Sequence, residues 1–162
     1  MLHQLKIWSA VSLSAVLSTT LAFAGNNDPM TITSFTQDSV IPAFDKINDC
    51  NGETVTLSGT SHFELTTGSD ADGDRTIFDL DTTTRLIGEG QTTHARYVSV
   101  EKIHQHDTTR GGQASNTRSS VKSRLVAQGP TPDLISRFTM HTVISKNGTI
   151  LVQKENESLS CK

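Results

Sequence analysis

His104 and His106 stand one residue apart in the stretch VEKIHQHD, and Asp107 follows directly. In an extended strand alternate side chains leave by the same face, so both imidazoles would point the same way. Two imidazoles on one face are part of a metal site, since structural zinc takes four protein ligands and catalytic zinc three. His141 is the candidate third ligand, giving His104, His106 and His141 as the metal-binding alternative. A second constellation is DADGDRTIFDLD, in which Asp70, Asp72 and Asp74 follow the alternate-residue spacing of a calcium loop. Ile77 and Asp81 fall at its apolar and closing positions, but Arg75 stands where the loop's sharp turn needs glycine, so a hairpin turn is expected instead. A third is Tyr97 with Glu101, a phenol and a carboxylate on one strand face, which inside a cavity could work as acid and base. Asp79 is a further strand carboxylate open to the same reading.

These residues are carried by a succession of β segments. GETVTLSGTSHFELTTG alternates, with Val55, Leu57, Phe63 and Leu65 on one face. RTIFDLDTTTRLIG puts Phe78, Leu80 and Leu86 on one face and Asp79, Asp81 and Arg85 on the other. THARYVSVEKIHQH, RSSVKSRLVAQ, DLISRFTMHTVIS and TILVQKENESLSC follow, separated by EGQT, by the longer loop DTTRGGQASNT, by GPTP and by KNG. Asn147-Gly148 in the last of these is a dipeptide favoured in tight hairpins. Six segments with short connections predict an antiparallel meander. Residues 25–49 read as a lead-in, with MTITSFT as a possible short strand and IPAFDKIND as a helical turn or extended chain.

Up-and-down parity brings His62, His104, His106 and His141 toward one end of the sheet and His94 toward the other. It also puts those four histidines on the face opposite the apolar rows, unless a bulge at Gly59 reverses His62. His141 would then have to reach across an intervening strand, ~10 Å at normal strand spacing. The solvated strand end is therefore favoured over a metal.

Residues 1–24 have a basic start at His3 and Lys6, an apolar middle, and small residues at Ala22 and Ala24, the pattern of a signal peptide cleaved before Gly25. The run is too short and too rich in Ser and Thr for a membrane span, so no span is expected in the mature chain. Secretion or delivery to a periplasm follows as the expectation. A net charge of -3 and the absence of a basic stretch interleaved with aromatics argue against nucleic acid as a partner. The one Trp lies in the signal segment, and Tyr97 is the one Tyr, too few aromatics for the girdles of a membrane barrel. The two cysteines, Cys50 and Cys161, predict a disulfide in an exported chain. Cys50 precedes the first of the six segments and Cys161 follows the last, so a bond needs the sheet to curl until those ends meet. A barrel does that.

CNGETVTLSGTSH (Cys50 to His62), RLVAQGPTPDLISRFTMHT (Arg124 to Thr142), NGTI and the final Cys161 together resemble a group of small, uncharacterised secreted bacterial β-barrel proteins. The likeness covers most of the chain in spaced pieces and departs at Ala127, where the pattern tends to have Gly. It implies a secreted β-rich domain with a Cys–Cys link and supplies no activity. More remotely the outline is similar to calycin-type and allene-oxide-cyclase-type barrels, a likeness of fold that does not carry function.

The expected protein is all-β: an antiparallel up-and-down β-barrel of six to eight strands occupying residues 50–162, with its first and last strands linked by a disulfide. The expected function is that of an exported, non-catalytic barrel binding a small apolar ligand. Its cavity would be lined by Leu57, Phe63, Phe78, Leu80, Tyr97, Glu101, Leu125, Phe138 and Met140. The alternatives are a barrel enzyme of cyclase or isomerase type using Glu101 and Tyr97, and a surface interaction protein with a filled core. No nucleophile elbow, P-loop or dinucleotide fingerprint is present, and no cofactor is expected. Oligomeric state, and the choice between periplasm and external medium, stay open.

Overall fold

The computed structural model describes residues 30–111 and 114–162, so residues 1–24, expected as a signal peptide, lie outside the described residues. Seven strands make up the fold: β1 (Thr31–Asn48), β2 (Glu53–Ser69), β3 (Arg75–Gly90), β4 (Arg96–Arg110), β5 (Ala114–Ala127), β6 (Leu134–Ile144) and β7 (Ile150–Cys161). They form one sheet in sequence order, each strand antiparallel to the next. No helix among the described residues is long and apolar enough to cross a membrane.

The six segments beyond Cys50 are β2 to β7. In the lead-in, MTITSFT is strand from Thr31 as expected, and IPAFDKIND takes the extended alternative: both belong to one long strand, β1, which pairs with β2 from Thr31–Ser69 to Asn48–Glu53. The register shifts between Ile41 and Phe44. That bulge accommodates Pro42 and Ala43 and resets the alternation, so IPAFDKIND has no clean strand period. Pro42 is tolerated because β1 has a partner on one side only.

The ladders define rows across the sheet. On the inward face one row runs Phe44, Leu57, Gly88, Tyr97 and Ala127, and its neighbour runs Ile41, Gly59, Leu86, Ser99, Leu125 and Leu134. These two rows, with Val55, supply the buried apolar core. Enclosing a side chain such as Leu57 contributes about 2 kcal/mol. Beyond them a polar row of Ser61, Thr84, Glu101, Ser123 and Ser136 crosses the interior. The apolar residues past that row, Phe63, Phe78, Leu80, Phe138 and Met140, are only half-buried. Phe63 stacks edge-on against Phe35 at 6.1 Å.

Two glycines let the sheet curl at its packed end. A Cβ on Gly88 would collide with the Thr56 carbonyl oxygen, and one on Gly59 with the Arg85 carbonyl oxygen. Such close backbone approach is what strand glycines permit at a tight bend. The curl brings the end of β1 to the turn before β6, where Asn48 Nδ2 donates to the Pro132 carbonyl at 3.2 Å. Lys46 Nζ donates to Ser123 Oγ at 3.3 Å, joining β1 to β5 across the interior. Cys50 and Cys161 are bonded, with Cα atoms 5.6 Å apart. The sheet is thus barrel-like and covalently tied at one end. It is not closed by hydrogen bonds: no ladder joins β1 to β7 among the described residues.

The turns follow their residues. Gly73 takes φ 71° in the turn before β3, and its N–H donates to the Asp70 carbonyl at 3.2 Å. At Asn147-Gly148 only Gly148 has a positive φ, 80°, so the connection is wider than a two-residue hairpin. Ser145 N–H donates there to the Thr149 carbonyl at 2.9 Å.

Candidate functional site

All four histidines singled out by parity lie on the outward face, because each occupies a register position between the inward rows. The bulge lies on β1 rather than at Gly59, so His62 is not reversed. The imidazoles of His62, His104 and His106 meet carboxylates on the neighbouring strand. His62 Nδ1 is 2.7 Å from Asp38 Oδ1. On β3 and β4 the register sets Asp81 opposite His104 and Asp79 opposite His106. His104 Nδ1 is 3.0 Å from Asp81 Oδ1 and 3.7 Å from Asp79 Oδ1, and His106 Nδ1 is 3.2 Å from Asp79 Oδ2.

His141 is not brought into that group. β5 lies between, with Arg118 as the shared neighbour of His106 and His141, and His141 Nε2 bonds Asn116 Oδ1 at 3.1 Å. The residues beside His104 and His106 are instead Asp79 and Asp81. Their outward parity in RTIFDLD was visible, but the β3–β4 register that sets them opposite the histidines was not. Asp107, the residue after HQH, turns inward and accepts from Gln105 Nε2 at 2.8 Å.

The outward face of β4–β7 is basic. One row across the sheet is Lys102, Lys122 and Arg137, and another is His106, Arg118, His141 and Lys154. Between them runs a polar row of His104, Ser120, Thr139 and Asn156. Arg96, Arg110 and Arg124 lie on the same face, which has no carboxylate among its described strand positions. The inward face of the same strands has the opposite character, with Glu101, Asp107, Glu155 and Glu157 and no Lys or Arg. A groove of 720 Å³ follows the polar row, lined by Arg118, Ser120, Thr139, His141, Lys154 and Asn156, with Glu155 and Met140 also in its wall. Sequence reading missed this face because its cations come from four strands and never form a run.

The nine residues expected around a cavity separate into two groups. Leu57, Tyr97 and Leu125 belong to the packed core. Phe63, Phe78, Leu80, Phe138 and Met140 are half-buried, and Glu101 lines an inward pocket of 310 Å³ with Ile41, Phe44, Lys46, Leu86 and Ser99. Tyr97 and Glu101 are not paired. The Tyr97 hydroxyl donates to Glu53 Oε2 at 2.6 Å, while Glu53 Oε1 accepts from the Thr93 N–H at 2.8 Å and the Thr93 hydroxyl at 2.7 Å. The bond from Tyr97, then those from Thr93, hold the Glu53 carboxyl down at about 2. Burial, then the bond to Glu53, pushes the Tyr97 phenol up. Glu53 is 6% exposed, and its three donors make it a structural anchor where Gly90 approaches closely.

Asp70, Asp72 and Asp74 sit in the β2–β3 turn, while Asp81 lies far along β3 opposite His104, as a hairpin requires. Compared with known protein families, characterised proteins and solved structures, the chain matches none of them.

Proposed function

We propose that this chain is an exported, non-catalytic binding module that holds an anionic polysaccharide along the outward face of β4–β7. The observation that carries this reading is the segregation of charge by face. Like charges directly opposite one another across a ladder destabilise a sheet. Rows such as Lys102–Lys122–Arg137 are accounted for by a partner of opposite charge. At normal strand spacing the row from His106 to Lys154 spans about 14 Å, long enough to track a chain rather than a single anion. Ser120, Thr139 and Asn156, between the basic rows, offer hydrogen bonds to sugar hydroxyls. No outward position of β4–β7 is Phe, Tyr or Trp, so the stacking platform of single-stranded nucleic-acid binders is missing from this face. Export is supported by the disulfide and by the leader-like residues 1–24.

Immobilised heparin at low salt tests the proposal, since a chain of net charge -3 has no overall attraction to it. The protein is retained and elutes with added salt, whereas the triple variant R118S/K122S/R137S flows through. Flow-through of the unaltered protein, or undiminished retention of the triple variant, overturns the reading. A second reading, a small apolar ligand held inside, is favoured by the 310 Å³ pocket that Ile41, Phe44 and Leu86 share with Lys46 and Glu101. Fluorescence of an anionic naphthalene-sulfonate probe distinguishes the two. Enhancement abolished by Phe44→Ser and untouched by the triple variant would place the ligand inside.

A further inference from the structure

We infer that Asp79, Asp81 and His104 form a binding site for a divalent transition-metal ion, with His106 as a positioning residue. The site shares His106 with one basic row and His104 with the polar row of the groove proposed to hold a polysaccharide, but its ligands include none of Arg118, Lys122 and Arg137, so either can fail alone.

Two alternate positions on β3 face two alternate positions on β4, so four side chains converge on one outward patch without help from any loop. One donor atom from each of Asp79, Asp81 and His104 lies within 4.8 Å of the others. Zinc bound at 2.0–2.2 Å by N and O ligands in tetrahedral geometry sets those ligand atoms about 3.3 Å apart. The separations from His104 Nδ1 to the two aspartates, 3.0 Å and 3.7 Å, lie on either side of that value. The two spacings from His104 are thus those that an ion held by its imidazole and the two carboxylates would require.

The two oxygens of Asp79 are used differently. Oδ2 is held by His106 Nδ1 at 3.2 Å, while Oδ1, on the His104 side, is buried and has no hydrogen-bond partner. A carboxylate fixed through one oxygen with the other left vacant is how an outer hydrogen bond orients a metal ligand. Glu64 stands directly opposite Asp81 across the β2–β3 ladder, so like charges face each other there, and a dication relieves that repulsion. Glu64, Asp81 and His104 also border a 350 Å³ depression that gives an ion a route in from solvent. One nitrogen and two carboxylate oxygens suit zinc or manganese; calcium asks for six to eight oxygens. Three protein ligands leave a fourth position for water.

Titration of zinc chloride into the oxidised protein, followed by calorimetry at neutral pH, tests the site. One ion binds per chain. His104→Ala and Asp81→Asn each weaken binding at least about tenfold, and His106→Ala weakens it by about tenfold, the usual effect of losing an outer partner. His106→Asn, whose amide can replace the donor, restores affinity, which a merely structural role would not predict. His62→Ala and His141→Ala bind as the unaltered protein does. Circular dichroism of each variant confirms the sheet. The inference is overturned by no saturable binding, by undiminished affinity in His104→Ala with Asp81→Asn, or by loss of binding in His141→Ala.

Discussion

At the disulfide end of the sheet Val55, Leu57, Tyr97 and Leu125 are enclosed almost completely, whereas Phe63, Leu80 and Met140 keep partial access to solvent on the same inward face farther along the strands. Side-chain size does not separate the two groups. Curvature does: Gly59 and Gly88 let β2 and β3 bend at one end, and Cys50–Cys161 holds that bend shut. At the other end the strands run on past the polar row with no covalent tie. Packing is densest at the tied end, and the surface proposed for binding lies toward the less enclosed half. The histidine–aspartate patch and the basic groove both lie toward that half, on the outward side.

The contrast can be broken most strongly at the disulfide. Replacing both cysteines by serine removes a link spanning 111 positions, for which the chain-entropy relation gives a loss of about 4 to 5 kcal/mol. Urea denaturation should show this loss, and the most solvent-protected amides lost should be those of β2, β4 and β5 near the core. Next in size, Leu57→Ala should cost about 2 to 5 kcal/mol, as enclosed leucines do, while Leu80→Ala should cost less than half as much. Equal costs in urea titrations would mean that the far half is as tightly packed as the near one.

Acid sharpens the comparison from another side. The folded-state value of Glu53, about 2, lies below its ordinary 4.5. The unfolded chain therefore binds more protons between those values, and the carboxylate's contribution is complete above pH 4.5 and fades as pH falls toward 2. Denaturation midpoints of the unaltered protein should fall across that window, and those of Glu53→Gln should fall less. The smallest effect belongs to the open half: His104→Ala, at an exposed strand position, should change stability by no more than about 0.5 kcal/mol in the absence of metal. A larger loss would make the histidine patch a structural element rather than a place to bind.

Much of this architecture could be read from alternation. The six strands from β2 to β7, the inward apolar rows and the outward histidines follow from period-two patterning, and the disulfide from cysteine position. Of β1 only the start, MTITSFT, was legible; its continuation was hidden because Pro42 and Ala43 interrupt its period, and a bulge is invisible until the partner strand is known. The same limit hid the site. Asp79 and His106 are far apart in sequence and become neighbours only through the β3–β4 register, as do Lys102, Lys122 and Arg137 through two further ladders. Glu53 gave no signal either, because its importance depends on Tyr97 and Thr93 arriving from the far side of a turn.

Because each strand pairs only with its sequence neighbours, the sheet can assemble hairpin by hairpin, a local topology of the kind that folds fast. Cys161 ends β7, so docking of the last hairpin is what brings its thiol to Cys50 in the folded sheet. Oxidation then locks β7 in place and keeps covered the edge of β6, which a chain with β7 undocked would expose to neighbours.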